Sequence, residues 1–209
     1  MYHGEKFNAW THLIGALLAC AGAIWLLVLA SLDGEPRKIV SVAIYGLALV
    51  LLYSISTLYH SLRGSKKLVM RKLDHLSIYL LIAGSYTPFC LVTLHGPWGW
   101  WLFGTIWTLA ILGVAFKAFY TGRFKRLSTI IYVAMGWIAV VAIEPMIRMI
   151  SAASLLWLLA GGVFYTLGTV FYMSRRRYAH AIWHAFVLGG SISHFVAVWL
   201  LVVEPAAAG

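Results

Sequence analysis

Seven long apolar runs recur from one end of the chain to the other, and this pattern restricts the fold more than any other feature. A helix rising 1.5 Å per residue needs about 20 residues to cross roughly 30 Å of hydrocarbon. The runs lie approximately at Trp10–Ala30, Ile39–His60, His75–His95, Trp100–Phe119, Leu127–Ile147, Ala152–Met173 and Ala181–Val203, each close to that length. In hydrocarbon every backbone N–H and C=O must find its partner inside the protein, so only helices and closed barrels span it. A barrel strand would alternate apolar and polar over about ten residues, whereas these runs are continuously apolar. The expected fold is therefore an all-α integral membrane protein, a seven-transmembrane helix bundle. Composition agrees. Charged residues make up 11% of the 209 and hydrophobic ones 62%, with mean hydropathy +0.88, whereas a soluble domain carries about a quarter charged residues.

The expected connections are short: Ser31–Lys38, Ser61–Asp74, Gly96–Gly99 around Pro97, Tyr120–Arg126, Arg148–Ser151 and Ser174–His180. None has room for a further domain, so residues 1–209 are expected to form one transmembrane domain. The first run is longer than a signal-peptide core and leads into SLDGEPRK instead of a small-residue cleavage site, so it is expected to stay as the first span. Cys20 and Cys90 fall inside apolar runs and are expected as buried packing residues.

A net charge of +10 raises the question of nucleic acid, but the distribution of charge answers it. Thirteen of the sixteen basic residues fall on one side of a seven-span topology, in the N-terminus and in the connections after spans 2, 4 and 6. Only Arg37, Lys38 and Arg148 fall on the other. The positive-inside rule then places the N-terminus in the cytoplasm and the C-terminus outside. The basic face suits anionic lipid headgroups, so membrane lipids are the expected partners and nucleic acid is not.

This topology brings scattered polar residues to one depth. His60 closes span 2, Asp74 and His75 open span 3, and His180 and His184 open span 7. The i, i+4 spacing of His180 and His184 stacks both imidazoles on one helix face. Imidazoles with a carboxylate and a water suit Zn²⁺, whose catalytic sites keep three protein ligands and one open position. The competing reading makes these ordinary interfacial side chains. Against it stands the cost of an aspartate in hydrocarbon, about 2.5–3.5 kcal/mol at mid-span, which calls for a partner. Near the start of span 1, Glu5 and Asn8 read as a polar cluster locking the N-terminus against the basic connections. His12 reads either as support for the site or as a packing residue. His194, ten residues past His184 and so about 15 Å deeper, is expected to make interhelical hydrogen bonds instead.

The residues around these candidates resemble a known family. Glu5-x-x-Asn8-x-x-Thr11-His12, Ser56-x-x-x-His60, Lys72-Leu73-Asp74, Ala83-Gly84-Ser85-Tyr86-Thr87-Pro88 and His180-x-x-x-His184 are together similar to a bacterial member of the hemolysin III family, in the progestin and adipoQ receptor group. The resemblance covers nearly the whole chain. It implies zinc near the cytoplasmic face, with His60, His180 and His184 as ligands and Asp74 holding a water on the metal or binding it directly. Ser56 would line the site, and catalysis would rest on Asp74 and Ser56. The implied location is the bacterial inner membrane. Distant similarity of the family to alkaline ceramidases implies hydrolysis of a lipid amide or ester. The alternatives are a receptor or regulator of membrane state with a structural zinc, or a cytolysin, as the family's name says. Unlike the eukaryotic receptors, this chain has nine residues before the first run and six after Val203.

The charge pattern yields a test of orientation. Alkaline phosphatase, which folds only outside the cytoplasm, should be active when fused after Val203 and inactive when fused at Gly122. The reverse pattern would overturn the assignment.

Overall fold

The computed structural model describes residues 4–204. They form α1 (Lys6–Asp33), α2 (Pro36–Ser61), α3 (Gly64–Pro88), a π-helical turn (Phe89–Thr93), α4 (Pro97–Tyr120), α5 (Lys125–Trp137), a 3₁₀ turn (Ile138–Ala142), α6 (Ile143–Met149), α7 (Ala152–Met173) and α8 (Ala179–Val203). Seven helical segments are long and apolar enough to cross a membrane, with α5, the 3₁₀ turn and α6 together making the fifth. The chain is thus an integral, multi-pass membrane protein, and among the described residues there is no strand. The last five residues of the expected six-residue tail lie outside the described residues.

The helices run further into the connections than the apolar runs suggested. Between α1 and α2 only Gly34 and Glu35 remain. Gly34 takes φ +81° and caps α1 by donating its N–H to Ala30 O, a left-handed geometry that suits a residue without Cβ. Pro36 opens α2, where its missing N–H costs nothing, and the Glu35 carboxylate accepts from Lys38 N at 2.7 Å. The largest correction concerns Ser61–Asp74, which is not a loop: α3 begins at Gly64. Nothing after Gly64 breaks a helix. Long basic side chains at Lys66, Lys67, Arg71 and Lys72 can lay their stems along apolar surface while their charges reach water. Asp74 and His75 consequently sit inside α3, about 15 Å of helix past its start.

Two spans are irregular where proline and a tyrosine interfere. Pro88 supplies no N–H, and the α3 ladder widens into the π turn immediately after it. In the fifth span the Tyr86 hydroxyl reaches across from α3, donating toward the carbonyls of Met135 and Gly136 at 2.9 and 2.8 Å and accepting from Ala139 N at 3.1 Å. It thereby supplies partners to backbone groups freed where α5 gives way to the 3₁₀ turn.

The most extensive packing is of α1 on α2, α7 on α8 and α2 on α3, and α8 also touches α1, so the last helix closes back on the first. Close approach depends on two glycines. A Cβ at Gly15 would lie 2.5 Å from the Tyr53 ring, and one at Gly161 would overlap the His194 ring. His194 hydrogen-bonds to the Leu158 backbone, the interhelical role expected of it. Large apolar side chains such as Leu17, Trp25, Leu112 and Val170 point outward, as a lipid-facing surface requires. Cys90 is buried as expected, but Cys20 is exposed on α1 and faces outward.

Tyr86→Phe should cost about 1–3 kcal/mol, the penalty for leaving buried backbone groups unpaired. A lowered thermal midpoint in detergent checks this; an unchanged midpoint would show that the bridge is dispensable.

Candidate metal centre

Three histidines meet at the end of the bundle that carries the basic connections. His60 occupies the last turn of α2, while His180 and His184 lie in the first two turns of α8. His60 and His184 are buried and His180 is exposed. Their ligand atoms all lie within 4.8 Å of one another. The Nε2 atoms of His180 and His60 are 3.3 Å apart, and those of His184 and His180 are 3.1 Å apart. Metal–nitrogen bonds of about 2.0–2.1 Å in a tetrahedron put neighbouring nitrogens about 3.3 Å apart. Two of the cluster's three edges, those that meet at His180, already have about that length.

The opposite ring nitrogens explain why the Nε2 atoms point inward. His60 Nδ1 lies 2.6 Å from Glu5 Oε2 and donates to it. The Thr11 hydroxyl directs its own hydrogen to the carbonyls of Phe7 and Asn8, both at 3.0 Å, so at 3.3 Å it accepts from His184 Nδ1. Each Nδ1 therefore carries a hydrogen, and in the neutral ring that metal binding requires, each Nε2 presents a lone pair. His180 can donate one hydrogen toward only one of its two neighbours. At least one pair of acceptors is left facing, a repulsive arrangement that a cation relieves. The donor set and its spacing fit a metal ion.

Glu5 is itself held firmly. Its carboxylate accepts from Asn8 Nδ2 at 2.9 Å and pairs with Lys67 at 2.9 Å. Burial pushes the Glu5 carboxyl up, but the hydrogen bonds from His60, Asn8 and Lys67 outweigh it and hold the group well below the usual carboxylate range. The expected locking of the N-terminus against the basic segment is present in the Lys67 pair. What spacing could not show is that the same carboxylate orients His60. Glu5, Asn8 and Thr11 recur at intervals of three, so one face of α1 carries the supports for two imidazoles.

His12 lies in this assembly too. Its ring stacks on His184 at 3.6 Å and 20°, and stands edge-on to Tyr53 at 5.1 Å. Both of its ring nitrogens are buried without a hydrogen-bond partner.

A cavity of about 280 Å³ opens beside the histidines, lined among others by His12, Ser56, Asp74, His75, Lys117, Tyr172, His180 and His184. Ser56 lies beside Asp74 in the lining of this cavity. Asp74 shares this cavity but stands outside the cluster of ligand atoms formed by the three histidines. His75, the rival candidate, turns Nδ1 to Arg71 O at 2.6 Å and Nε2 toward Tyr172 OH at 3.4 Å, away from the cluster. Lys117 was counted with a basic connection, yet it is 2% exposed and lines the cavity. The available signal was a single lysine inside an otherwise apolar run.

The profile of the family described as "Haemolysin-III related" matches residues 1–195. The chain belongs to the haemolysin-III-related family. Among curated members, "Hemolysin-3" of Bacillus cereus is 46% identical over 204 residues, covering 97% of this chain and 93% of that one. "Hemolysin-3 homolog" of Bacillus subtilis (strain 168) is 43% identical over 202 residues, covering 96% and 95%. The human "Monocyte to macrophage differentiation factor" is 29% identical over 201 residues, covering 92% and 82%. No solved structure matches the chain. In this haemolysin-III-related protein, the histidine cluster sits where the spans converge on their basic loops.

Carboxylate partners of metal-binding histidines typically contribute about 10–100-fold in metal affinity. Glu5→Gln and Thr11→Val should each weaken metal binding by about that factor, measured by competition with a chelator, while helix content by circular dichroism stays unchanged. Affinity unaltered in Glu5→Gln would remove Glu5 from the site.

Proposed function

We propose that the three-histidine centre binds zinc and that the protein is a zinc-dependent hydrolase. Its substrate is the amide or ester bond of a membrane lipid, at the cytoplasmic leaflet of the bacterial inner membrane. The observation that carries this reading is the juxtaposition of polar and apolar cavities beside the histidines, which have walls in common. The polar cavity shares Leu52, Ile78, Tyr172, Trp183 and Val187 with an apolar cavity of about 110 Å³. That cavity shares Ser85, Tyr86, Gly136, Trp137, Gly162 and His194 with another of about 470 Å³. An amphiphile could place its acyl chain in the apolar cavities with its head beside the histidines.

Three neutral imidazoles and one open position suit zinc, which favours tetrahedral nitrogen coordination and leaves room for water or substrate. When bound, zinc would polarise the scissile carbonyl and acidify water in the cavity. The chain's own residues do the remaining work. His60, His180 and His184 would hold the ion, with Glu5 and Thr11 fixing two of the rings. The Asp74 carboxylate takes the proton of the attacking water and returns it to the departing amine or alcohol. Ser56, beside Asp74 in the cavity lining, would donate its hydroxyl hydrogen to that carboxylate and keep it aimed into the cavity. The carbonyl carbon gains the water oxygen, the C–N or C–O bond breaks, and the products are a fatty acid and a protonated leaving group.

A structural zinc is the competing reading, favoured by the way the cluster ties the end of α2 to the start of α8. In that case the protein would act as a receptor or regulator of membrane state, and its metal would have no exchangeable water. Reconstituted protein should release fatty acid from an N-acyl or O-acyl lipid. Asp74→Asn should lower that rate by about 10²–10⁴-fold while retaining its metal. Metal-loaded wild type that cleaves neither class of lipid would favour the structural reading.

A further inference from the structure

The cavity beside the histidines carries more positive charge in its lining than the described carboxylates there neutralise. Arg71, Lys117, Arg123 and Lys125 line it, and Asp74 is the only carboxylate among the described residues that does. None of the four cations forms an ion pair with a described carboxylate. Lys125 is spent on the Tyr172 backbone, donating to its carbonyl at 2.6 Å with its ammonium 4.2 Å from the Tyr172 ring centre. Arg71 and Lys117 have no comparable commitment. Arg71 Nε is buried without a hydrogen-bond partner. Lys117, at 2% exposure, reaches among the described residues only the Arg123 carbonyl, at a long 3.4 Å. The loop from α4 to α5 folds over this pair. Gly122, with φ +84°, brings its backbone so close that a Cβ there would lie 3.6 Å from Arg71 Nη2.

A buried ammonium and a guanidinium that line one cavity, neither in an ion pair with a described carboxylate, are costly unless an anion joins them. Planar guanidinium and ammonium donors together suit an oxyanion, phosphate or carboxylate. We infer that Arg71 and Lys117 form a headgroup subsite, so that the cavity selects amphiphiles with an anionic oxyanion head over neutral ones. This inference rests on the proposed reading that the cavity admits an amphiphile, and it narrows the substrate class to anionic lipids. Neither residue is needed to hold the metal.

The test compares binding to the full-length chain in a non-ionic detergent, followed by tryptophan fluorescence, since Trp183 lines the same cavity. The probes are 1-oleoyl-lysophosphatidate, the neutral 1-oleoylglycerol with the same acyl chain, and inorganic phosphate. The anionic lipid should bind tighter than the neutral one by about tenfold or more, the range expected of charge-assisted hydrogen bonds. That ratio should collapse toward one in Arg71→Gln and in Lys117→Met. It should persist in Lys117→Arg, which keeps the charge and separates loss of the subsite from failure to fold. It should also persist in Arg176→Gln with Arg177→Gln, which removes exposed charge at residues that do not line the cavity. Phosphate binding as tightly as the lysolipid would show that the subsite serves a free anion and would overturn selection of an amphiphile. Equal affinity for the two lipids, or equal losses in the surface and cavity variants, would overturn the subsite itself. Binding needs no turnover. Anionic preference without hydrolysis would therefore count against the hydrolase reading alone.

Discussion

The inward-facing lone pairs of neutral His60 and His184 repel, and the one hydrogen that His180 can offer satisfies only one of them. The arrangement is imposed from outside the cluster. Glu5 and Thr11 take the Nδ1 hydrogens of His60 and His184, which turns both Nε2 atoms inward. The rest of the architecture serves this constraint: α1 must lie against both α2 and α8 for its first turns to reach those rings. Gly15, with no side chain to hold Tyr53 away, permits that approach. Tyr53 in turn donates to Ser191 on α8 at 2.9 Å, which binds the same three helices together deeper in the bundle.

The membrane explains why such a cluster is worth supporting on several sides. Polar groups near hydrocarbon must be paired, and the described polar residues at this end of the bundle are joined through shared acceptors rather than through water alone. One Glu5 carboxylate serves His60, Asn8 and Lys67, and Ser191 serves both Tyr53 and Tyr165. Pairing is incomplete among the described residues at the His12 nitrogens, Arg71 Nε and the Tyr45 and Tyr79 hydroxyls; His12 and Arg71, which hold three of these five atoms, line the cavity beside the histidines, and the two tyrosines do not. This coincidence gives the cavity its claim to a ligand.

The spans and the depth of His60, His180 and His184 were legible because hydrophobic length and charge asymmetry act over the whole chain. Both survive local irregularity. Helix boundaries were less legible, since long basic side chains let α3 begin at Gly64 within a segment that composition alone marks as a connection. The break at Ile138 depends on what Tyr86 finds across the interface, and a one-dimensional pattern does not contain that. The same holds for Glu5. Its motif suggested a locked helix start, whereas its contact with His60 joins residues 55 positions apart. Lys117 was misplaced because charge counting assigns a lysine to water, and here the α4–α5 loop covers it.

The most direct test of the account is X-ray absorption at the zinc edge on purified protein in detergent, with metal content measured on the same sample. The account predicts about one zinc per chain, with three imidazole nitrogens at about 2.0–2.1 Å and one further light-atom ligand, and loss of the metal in His60→Ala and His184→Ala. A chain that takes up no zinc after reconstitution, or a shell without imidazole scattering, would contradict it. The histidines would then be interfacial polar residues and no more.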